Sequence, residues 1–131
     1  MVYATEIPVR FRDVDALGHV NNAVYATYLE QARVEYIRDV LGADVTTEPT
    51  VLASLTIDYR RPVELADDAV TVTVAVDDVG RSSLTMSHEI RVDDGVAAEA
   101  EGTLVALDPE SGEPREIPRE QRSAIREYRD R

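Results

Sequence analysis

One long helical pattern, with strand patterns on either side of it, most constrains what this chain can fold into. From residue 23 to residue 44, apolar residues recur every four positions, and Gly42 is typical of a helix end. The apolar side carries Val24, Tyr28, Ala32, Tyr36 and Val40, flanked by Tyr25, Leu29 and Ile37. The opposite side carries Glu30, Arg33, Glu35, Arg38 and Asp39. The sequence therefore predicts one amphipathic helix whose charged side faces solvent.

Strand patterns precede and follow this helix. Residues 2–13 alternate around Ile7, Val9 and Phe11, which predicts a first strand. Four more strands are predicted after the helix, at residues 51–59, 69–76, 82–92 and 96–107. The turn between the last two is predicted at Asp93–Asp94–Gly95. Residues 119–131 predict a short polar helix, docked through Ala124, Ile125 and Tyr128.

This order of elements indicates the α+β class with a five-stranded antiparallel sheet around a long helix. The 131 residues fit one domain, residues 1–131. One helix covers one face of such a sheet and leaves its outer face and edges open. Because the strands contain runs of valine, we expect a second subunit to bury those surfaces.

Composition excludes several kinds of site. The chain has no Cys, which rules out disulfides and thiolate nucleophiles. With His19 and His88 as its two histidines, we expect no metal site, and we expect His88 to be a packed or interface residue on a strand face. Residues 1–12 are charged and lack the apolar core of a signal peptide, and no stretch is long enough to span a membrane. We therefore expect a cytoplasmic protein.

The charge balance narrows the possible partners. Asp and Glu number 26 against 14 cations, all of them Arg, which gives a net charge of -12. So acidic a surface repels nucleic acid and anionic membranes, and we expect neither as a partner. A GC-rich genome, whose codons favour Arg, explains the absence of Lys. Adaptation to high salt explains the acidity as well, because salt at 1 M screens charges over a Debye length of about 3 Å.

The densest run of polar functional residues lies between the first strand and the long helix, and it reads Asp13-Val14-Asp15-Ala16-Leu17-Gly18-His19-Val20-Asn21-Asn22. A helix N-terminus offers free N–H groups and a partial positive charge, which can hold an oxyanion. A carboxylate beside it can act as nucleophile or as general base toward water. The same residues also suit a plain turn and helix cap, so their spacing leaves both interpretations open.

The run VRFRDVDALGHVNNAVYATYLEQARVEYI, residues 9–37, resembles the signature of the 4-hydroxybenzoyl-CoA thioesterase-like family. The resemblance implies the hot-dog fold, in which an antiparallel sheet wraps a long helix. It implies a homodimer with active sites at the subunit interface, and such dimers often form tetramers. It also implies an enzyme that hydrolyses acyl-CoA thioesters, with coenzyme A (CoA) as part of the substrate and no further cofactor.

Roles for individual residues follow from the same resemblance. Asp15 is the catalytic carboxylate, as nucleophile or as general base, and Asp13 has a structural role. The backbone N–H near Asn22 is the candidate oxyanion donor, and the Asn22 side chain orients water. His19 either faces the substrate or is a plain loop residue, and both alternatives stay open. The turn that presents the helix N-terminus to the thioester carbonyl is lined by Gly18, His19, Val20, Asn21 and Asn22.

An acyl-CoA carries several phosphate charges, so an acidic protein needs local cations to bind it. One candidate is Arg60–Arg61, after the second strand, although these residues could equally pair with Asp58 and Glu64. The other is Arg81–Ser82–Ser83, before the fourth strand, and the resemblance implies that this turn touches the nucleotide or pantetheine.

Two other functions remain open. The first is a thioesterase that acts on acyl carrier protein, which the acidic surface disfavours because that carrier is acidic too. The second is a non-catalytic acyl-CoA-binding domain, against which the motif around Asp15 argues.

The charge balance predicts a salt dependence of stability. If the acidic surface is an adaptation to high salt, molar KCl should raise the midpoint of thermal unfolding, because screening relieves repulsion between carboxylates. The measurement is a series of melting curves from low to molar KCl. A midpoint that does not rise over that range contradicts the interpretation.

Overall fold

A five-stranded antiparallel sheet packs against one long helix in the computed structural model, which describes residues 1–93 and 95–131. The strands and helices in chain order are β1 (Tyr3–Pro8), α1 (Asn22–Asp39), β2 (Thr50–Tyr59), β3 (Ala69–Val79), β4 (Ser83–Val92), β5 (Gly95–Ala106) and α2 (Arg119–Arg129). Two single 3-10 turns lie at Phe11–Asp13 and Leu65–Asp67. The predicted α+β class, antiparallel sheet and C-terminal helix are confirmed.

The strand order across the sheet is β1-β3-β4-β5-β2. The two strands nearest to α1 in sequence, β1 and β2, thus form opposite edges of the sheet. Val92 of β4 pairs with Gly95 of β5, so the strands predicted to meet at a hairpin do pair. Of the predicted turn residues there, Asp94 lies outside the described part of the chain.

The sheet's inner face, which packs on α1, is apolar. In β3 the four alternate residues Val70, Val72, Val74 and Val76 are buried within one chain. The residues between them, such as Thr71 and Thr73, point to the other face and are half-buried. The β3 valines are thus buried by α1 of the same chain, because β-strand alternation directs them all toward it, and they give no evidence for a partner. Burial of the outer face and edges by a second subunit stays a prediction.

The helix α1 buries the predicted apolar stripe through Tyr25, Tyr28, Leu29, Ala32, Tyr36 and Ile37. It ends at Asp39, three residues before the predicted stop at Gly42, and Gly42 adopts a φ of 66° that suits glycine. The prediction fails at Arg33, which the helical pattern places on the solvent side. Arg33 is only 6% exposed, because the sheet reaches further around the helix than the apolar stripe indicates.

The first strand is shorter than predicted. It ends at Pro8, and one further backbone bond, from the Val9 N–H to the Asp68 carbonyl, follows the same register beyond the strand. The Asp13 carboxylate accepts the backbone N–H of Arg10 at 2.9 Å, which closes a 3-10 turn. Residues 11–13 belong to this turn, so β1 is shorter than the extended pattern in the sequence predicts.

The C-terminal helix docks as predicted through Ile125, which is buried, and Tyr128. Tyr128 belongs to an aromatic cluster with Tyr3 of β1 and Tyr36 of α1, with ring centroids 5.5 to 6.4 Å apart. Among the described helices, none is long and apolar enough to cross a membrane.

His88 is a buried residue of the inner sheet face, 3% exposed, which confirms the prediction that it is packed. Its Nδ1 lies 3.0 Å from the Thr73 carbonyl oxygen, so that nitrogen carries the hydrogen. Burial lowers the pKa of His88 to about 4, while the bond to Thr73 acts in the opposite direction. His88 is therefore neutral near pH 7.

This low pKa predicts that acid destabilises the fold. The unfolded chain takes up a proton near pH 6.5 and the folded chain only near pH 4, so stability is lost as pH falls between these values. Between pH 7 and pH 5 we expect a loss of about 2 kcal/mol from this residue. Urea unfolding of wild type and His88→Gln at both pH values measures it, and an equal loss in the two proteins contradicts the assignment.

Candidate active site

The loop between β1 and α1 is held in a tight hairpin. Val14 bridges Val20, the Asp15 N–H donates to the His19 carbonyl at 2.7 Å, and the Gly18 N–H donates to the Asp15 carbonyl at 3.0 Å. Gly18 has a φ of 80°, a conformation that favours glycine. The Val20 N–H donates to the Val63 carbonyl at 2.7 Å, which ties the loop to the segment after β2. The loop is thus a rigid support for Asp15.

Asp15 is exposed, and one of its carboxylate oxygens holds the turn. Oδ1 accepts the N–H of Leu17 at 2.8 Å and that of His19 at 3.2 Å. Within residues 1–93 and 95–131, no donor bonds to Oδ2. The carboxylate therefore combines both interpretations of the sequence, since one oxygen organises the loop and the other can meet a substrate or water.

The helix that follows starts with one free donor. Asn21 is the N-cap, and its side chain accepts the Ala23 N–H at 2.9 Å while its carbonyl accepts the Val24 N–H. In the described part of the chain, the Asn22 N–H bonds to no acceptor. The Asn22 side chain is exposed. A free N–H on the first turn of α1 can stabilise a developing oxyanion, aided by the helix dipole.

Asp13 is buried and acts as an anchor. Its carboxylate accepts the Arg10 N–H at 2.9 Å and the Tyr28 hydroxyl at 2.8 Å, and it pairs with the Arg10 guanidinium at 3.4 Å. Burial raises the pKa of Asp13, but these hydrogen bonds together bring it below its usual value. The Asp13 carbonyl accepts the Asn21 N–H, so this residue joins the end of β1 to the start of α1. Its structural role is confirmed.

Two other predicted site residues contribute mainly backbone. The Val20 side chain is buried in the core, so it cannot line an open turn. His19 is half-buried, and its main chain bridges Glu64. No bond of the His19 ring is among the contacts of the described residues. Its role toward a substrate stays a prediction.

The Arg60–Arg61 pair is engaged within the chain. Arg60 forms an exposed ion pair at 2.8 Å, and its partner is Glu99 of β5 rather than Asp58 or Glu64. Arg61 donates to the Val92 carbonyl. Cross-strand pairing brings Glu99 next to Arg60 although the two lie 39 residues apart in sequence.

Arg81 lies at the other end of the molecule from Asp15. The β3 strand starts beside Val9, near the Asp15 loop, and its 11 residues span roughly 35 Å before the turn that contains Arg81. Arg122 fastens that turn by donating to the Gly80 and Arg81 carbonyls at 2.7 and 3.0 Å. Arg81 itself is exposed, with Ser82 and Ser83 beside it half-buried. One chain therefore does not bring Asp15 and Arg81 together.

Tyr59, which the sequence did not single out, and Tyr25 of the apolar stripe position the helix N-terminus. The Tyr59 hydroxyl donates to the Asn22 carbonyl at 2.9 Å, and its ring packs edge-on against Tyr25 at 5.0 Å. The Tyr25 hydroxyl accepts the Val63 N–H at 3.2 Å. No local signal identifies Tyr59, because it comes from β2, 37 residues after Asn22.

A groove of about 370 Å³ runs between α1 and the edge strand β2, and we call it the α1–β2 groove. Its walls are mainly apolar, with one acidic and one basic residue from α1. Its lining consists of Glu30, Arg33, Val34, Ile37, Val45, Thr50, Leu52 and Leu104. Its size is in the range of small-molecule sites.

The sequence and the fold both resemble known thioesterases. Residues 9–125 match the family model of the thioesterase-like superfamily. FadM of Escherichia coli, a long-chain acyl-CoA thioesterase, is 33% identical over 109 residues, which cover 79% of this chain and 82% of FadM. YsmA of Bacillus subtilis is 31% identical over 66% of this chain, and the match spans only 58% of YsmA.

Among solved structures, a thioesterase of Thermus thermophilus complexed with coenzyme A and Zn superposes with a TM-score of 0.85. It is 39% identical, and the superposition covers 98% of this chain and 95% of that one. This likeness confirms the hot-dog fold that the resemblance implied.

The anchor role of Asp13 predicts a stability cost for removing its buried donor. Tyr28→Phe should lower the free energy of unfolding by roughly 1–3 kcal/mol, because a buried carboxylate loses one hydrogen bond. Asp15→Asn is the matched control, and we expect it to change stability by less than about 0.5 kcal/mol, because Asp15 is exposed and asparagine keeps the oxygen that accepts the Leu17 and His19 N–H groups. Urea unfolding measures both, and equal effects of the two substitutions contradict this division of roles.

Proposed function

We propose that this chain, which belongs to the thioesterase-like superfamily, hydrolyses acyl-CoA thioesters to a free acid and CoA. The observation that carries the proposal is the pairing of a fixed carboxylate, with Oδ2 of Asp15 free, and a helix whose first N–H at Asn22 has no acceptor among the described residues. The long-chain acyl-CoA thioesterase activity of FadM and the CoA bound to the Thermus thioesterase support the choice of substrate.

In the proposed reaction, the thioester carbonyl oxygen accepts the Asn22 N–H. Oδ2 of Asp15 then attacks the carbonyl carbon, or it takes a proton from a water molecule that attacks instead. The negative charge that develops on the carbonyl oxygen is stabilised by that N–H and by the α1 dipole. If Asp15 attacks, the carbon–sulfur bond breaks to leave a mixed anhydride on Asp15, which water then hydrolyses to the product acid and the free carboxylate. If water attacks, the same bond breaks directly to give the acid. In both routes CoA leaves as the thiolate, and water supplies one oxygen of the product acid and the proton that the thiolate takes up.

We propose that two copies of the chain complete each site. Asp15 and Arg81 lie at opposite ends of one chain, so one CoA ester is not expected to contact both residues of the same copy. The end of β2 at Tyr59 lies beside Asn22, and its start at Thr50 pairs with Ala106 near the Arg81 turn. If the free edges of two β2 strands pair antiparallel, the Arg81 turn of the partner comes close to Asp15.

Exposed apolar side chains support such an interface. Val51 and Leu52 of the β2 edge are 46% and 42% exposed. Around the Asp15 loop, Phe11 and Leu17 are 81% and 80% exposed. Clustered apolar exposure of this kind marks association surfaces. Arg81 of the partner then supplies the cation that an acidic protein needs to hold the phosphates of CoA.

The proposal predicts that Asp15→Asn lowers kcat on a good acyl-CoA by about 100-fold or more, since it removes the nucleophile or base. Release of free thiol from short-chain, long-chain and aromatic acyl-CoA esters, followed with a chromogenic reagent, measures it. Asp130→Asn on the C-terminal side of α2 is the control for loss of one carboxylate charge and should keep the wild-type rate.

Two results would count against the proposal. Near-normal turnover by Asp15→Asn overturns the role of this carboxylate. Absence of hydrolysis by wild type across the whole panel, with retained binding of the esters, favours a non-catalytic acyl-CoA-binding domain instead.

A further inference from the structure

Arg33 is a buried cation for which the described chain provides no acceptor. It is 6% exposed, and its Nη1 is fully buried without a hydrogen-bond partner. Glu30, one helical turn earlier, forms no ion pair with it among the described residues, although its charge partly opposes the lowering of the Arg33 pKa by burial. A guanidinium keeps its charge in a protein, so this burial costs several kcal/mol unless something compensates it.

Arg33 borders an open groove. It forms part of the wall of the α1–β2 groove, whose other lining residues are apolar except for Glu30 and Thr50. His88 lies on the inner sheet face, and its buried Nε2 also lacks a partner, yet the two side chains form no hydrogen bond. A ligand in the groove is therefore well placed to supply the missing acceptor.

We infer that Arg33 selects acyl groups that carry a carboxylate at the end distant from the thioester. This inference rests on the proposed thioesterase function. A carboxylate neutralises the charge and matches the planar fork of a guanidinium with two parallel hydrogen bonds. The apolar walls suit the methylene chain between the two polar ends, and Glu30 lies exposed at the groove, where water screens its repulsion.

The proposed pairing of two chains gives this groove access to a reacting thioester. The groove is bordered by Thr50 and Leu52 at the start of β2. Antiparallel pairing of two β2 strands places the partner's end of β2, and with it the first turn of the partner's α1, over this start. An acyl group whose thioester lies at Asp15 of one chain then extends into the α1–β2 groove of the other.

The test compares esters of equal length that differ only at the distant end: adipoyl-CoA with hexanoyl-CoA, and dodecanedioyl-CoA with dodecanoyl-CoA. The ω-hydroxy ester of each length is included. The readout is the ratio of kcat/KM for the carboxyl ester to that for the methyl ester. We expect wild type to favour a carboxyl ester, and Arg33→Met to lower this ratio by about tenfold or more.

Two further variants serve as a control and as a test of the guanidinium geometry. Arg38→Met removes an exposed arginine from the same helix and should leave the ratio unchanged. Arg33→Lys keeps the charge but loses the fork, and it should give an intermediate ratio. Met is apolar and of similar length, so Arg33→Met should fold, which its melting curve checks.

Several outcomes overturn the inference. One is an equal loss on all esters in Arg33→Met, which would make Arg33 a structural partner of His88 or of the second chain. Another is a wild-type preference for the ω-hydroxy or methyl ester. If wild type hydrolyses no ester, the thioesterase proposal fails. Calorimetric binding then decides the inference: a preference for carboxyl esters that Arg33→Met abolishes supports it, and no preference overturns it.

Discussion

The buried carboxylate of Asp13 is the interaction on which the rest of the site depends. It ends β1 by holding the Arg10 N–H, and it fastens α1 by accepting the Tyr28 hydroxyl. The carbonyl of the same residue receives the Asn21 N–H, which sets where the helix begins. Between these fixed points the chain can only return in a short hairpin, and Asp15 lies in that hairpin. The exposed carboxylate is thus positioned by a buried one two residues earlier.

The acidity of the protein places a second constraint on the proposed function. A chain with a net charge of -12 repels an anionic CoA ester at a distance, so binding depends on local positive charge. The first turn of α1 offers partial positive charge to the reacting carbonyl, and Arg81 and Arg33 offer full charges farther away. In one chain these elements are separated, and the proposed pairing of β2 edges gathers them. Two chains would then have to associate before either could bind the substrate.

Periodicity in the sequence predicted the helix, the four later strands and the C-terminal helix, because alternate burial dictates apolar spacing. It did not predict the end of β1, which depends on a side chain capping the backbone at Arg10. It placed Arg33 in solvent, since a charged residue on a polar stripe gives no sign of the sheet that covers it. The family signature located Asp15 and Asn22, whereas Tyr59 and the remote position of Arg81 follow from strand order, which local patterns do not contain.

Hybrid dimers test most directly whether the carboxylate of one chain works with the cation of another. One chain carries Asp15→Asn and the other Arg81→Glu, and the hybrid is purified through two different affinity tags. If each site takes Asp15 from one chain and Arg81 from its partner, the hybrid contains one intact site. We then expect it to hydrolyse subsaturating acyl-CoA faster than either parent variant. A hybrid no more active than the mean of the two parents would contradict the shared site.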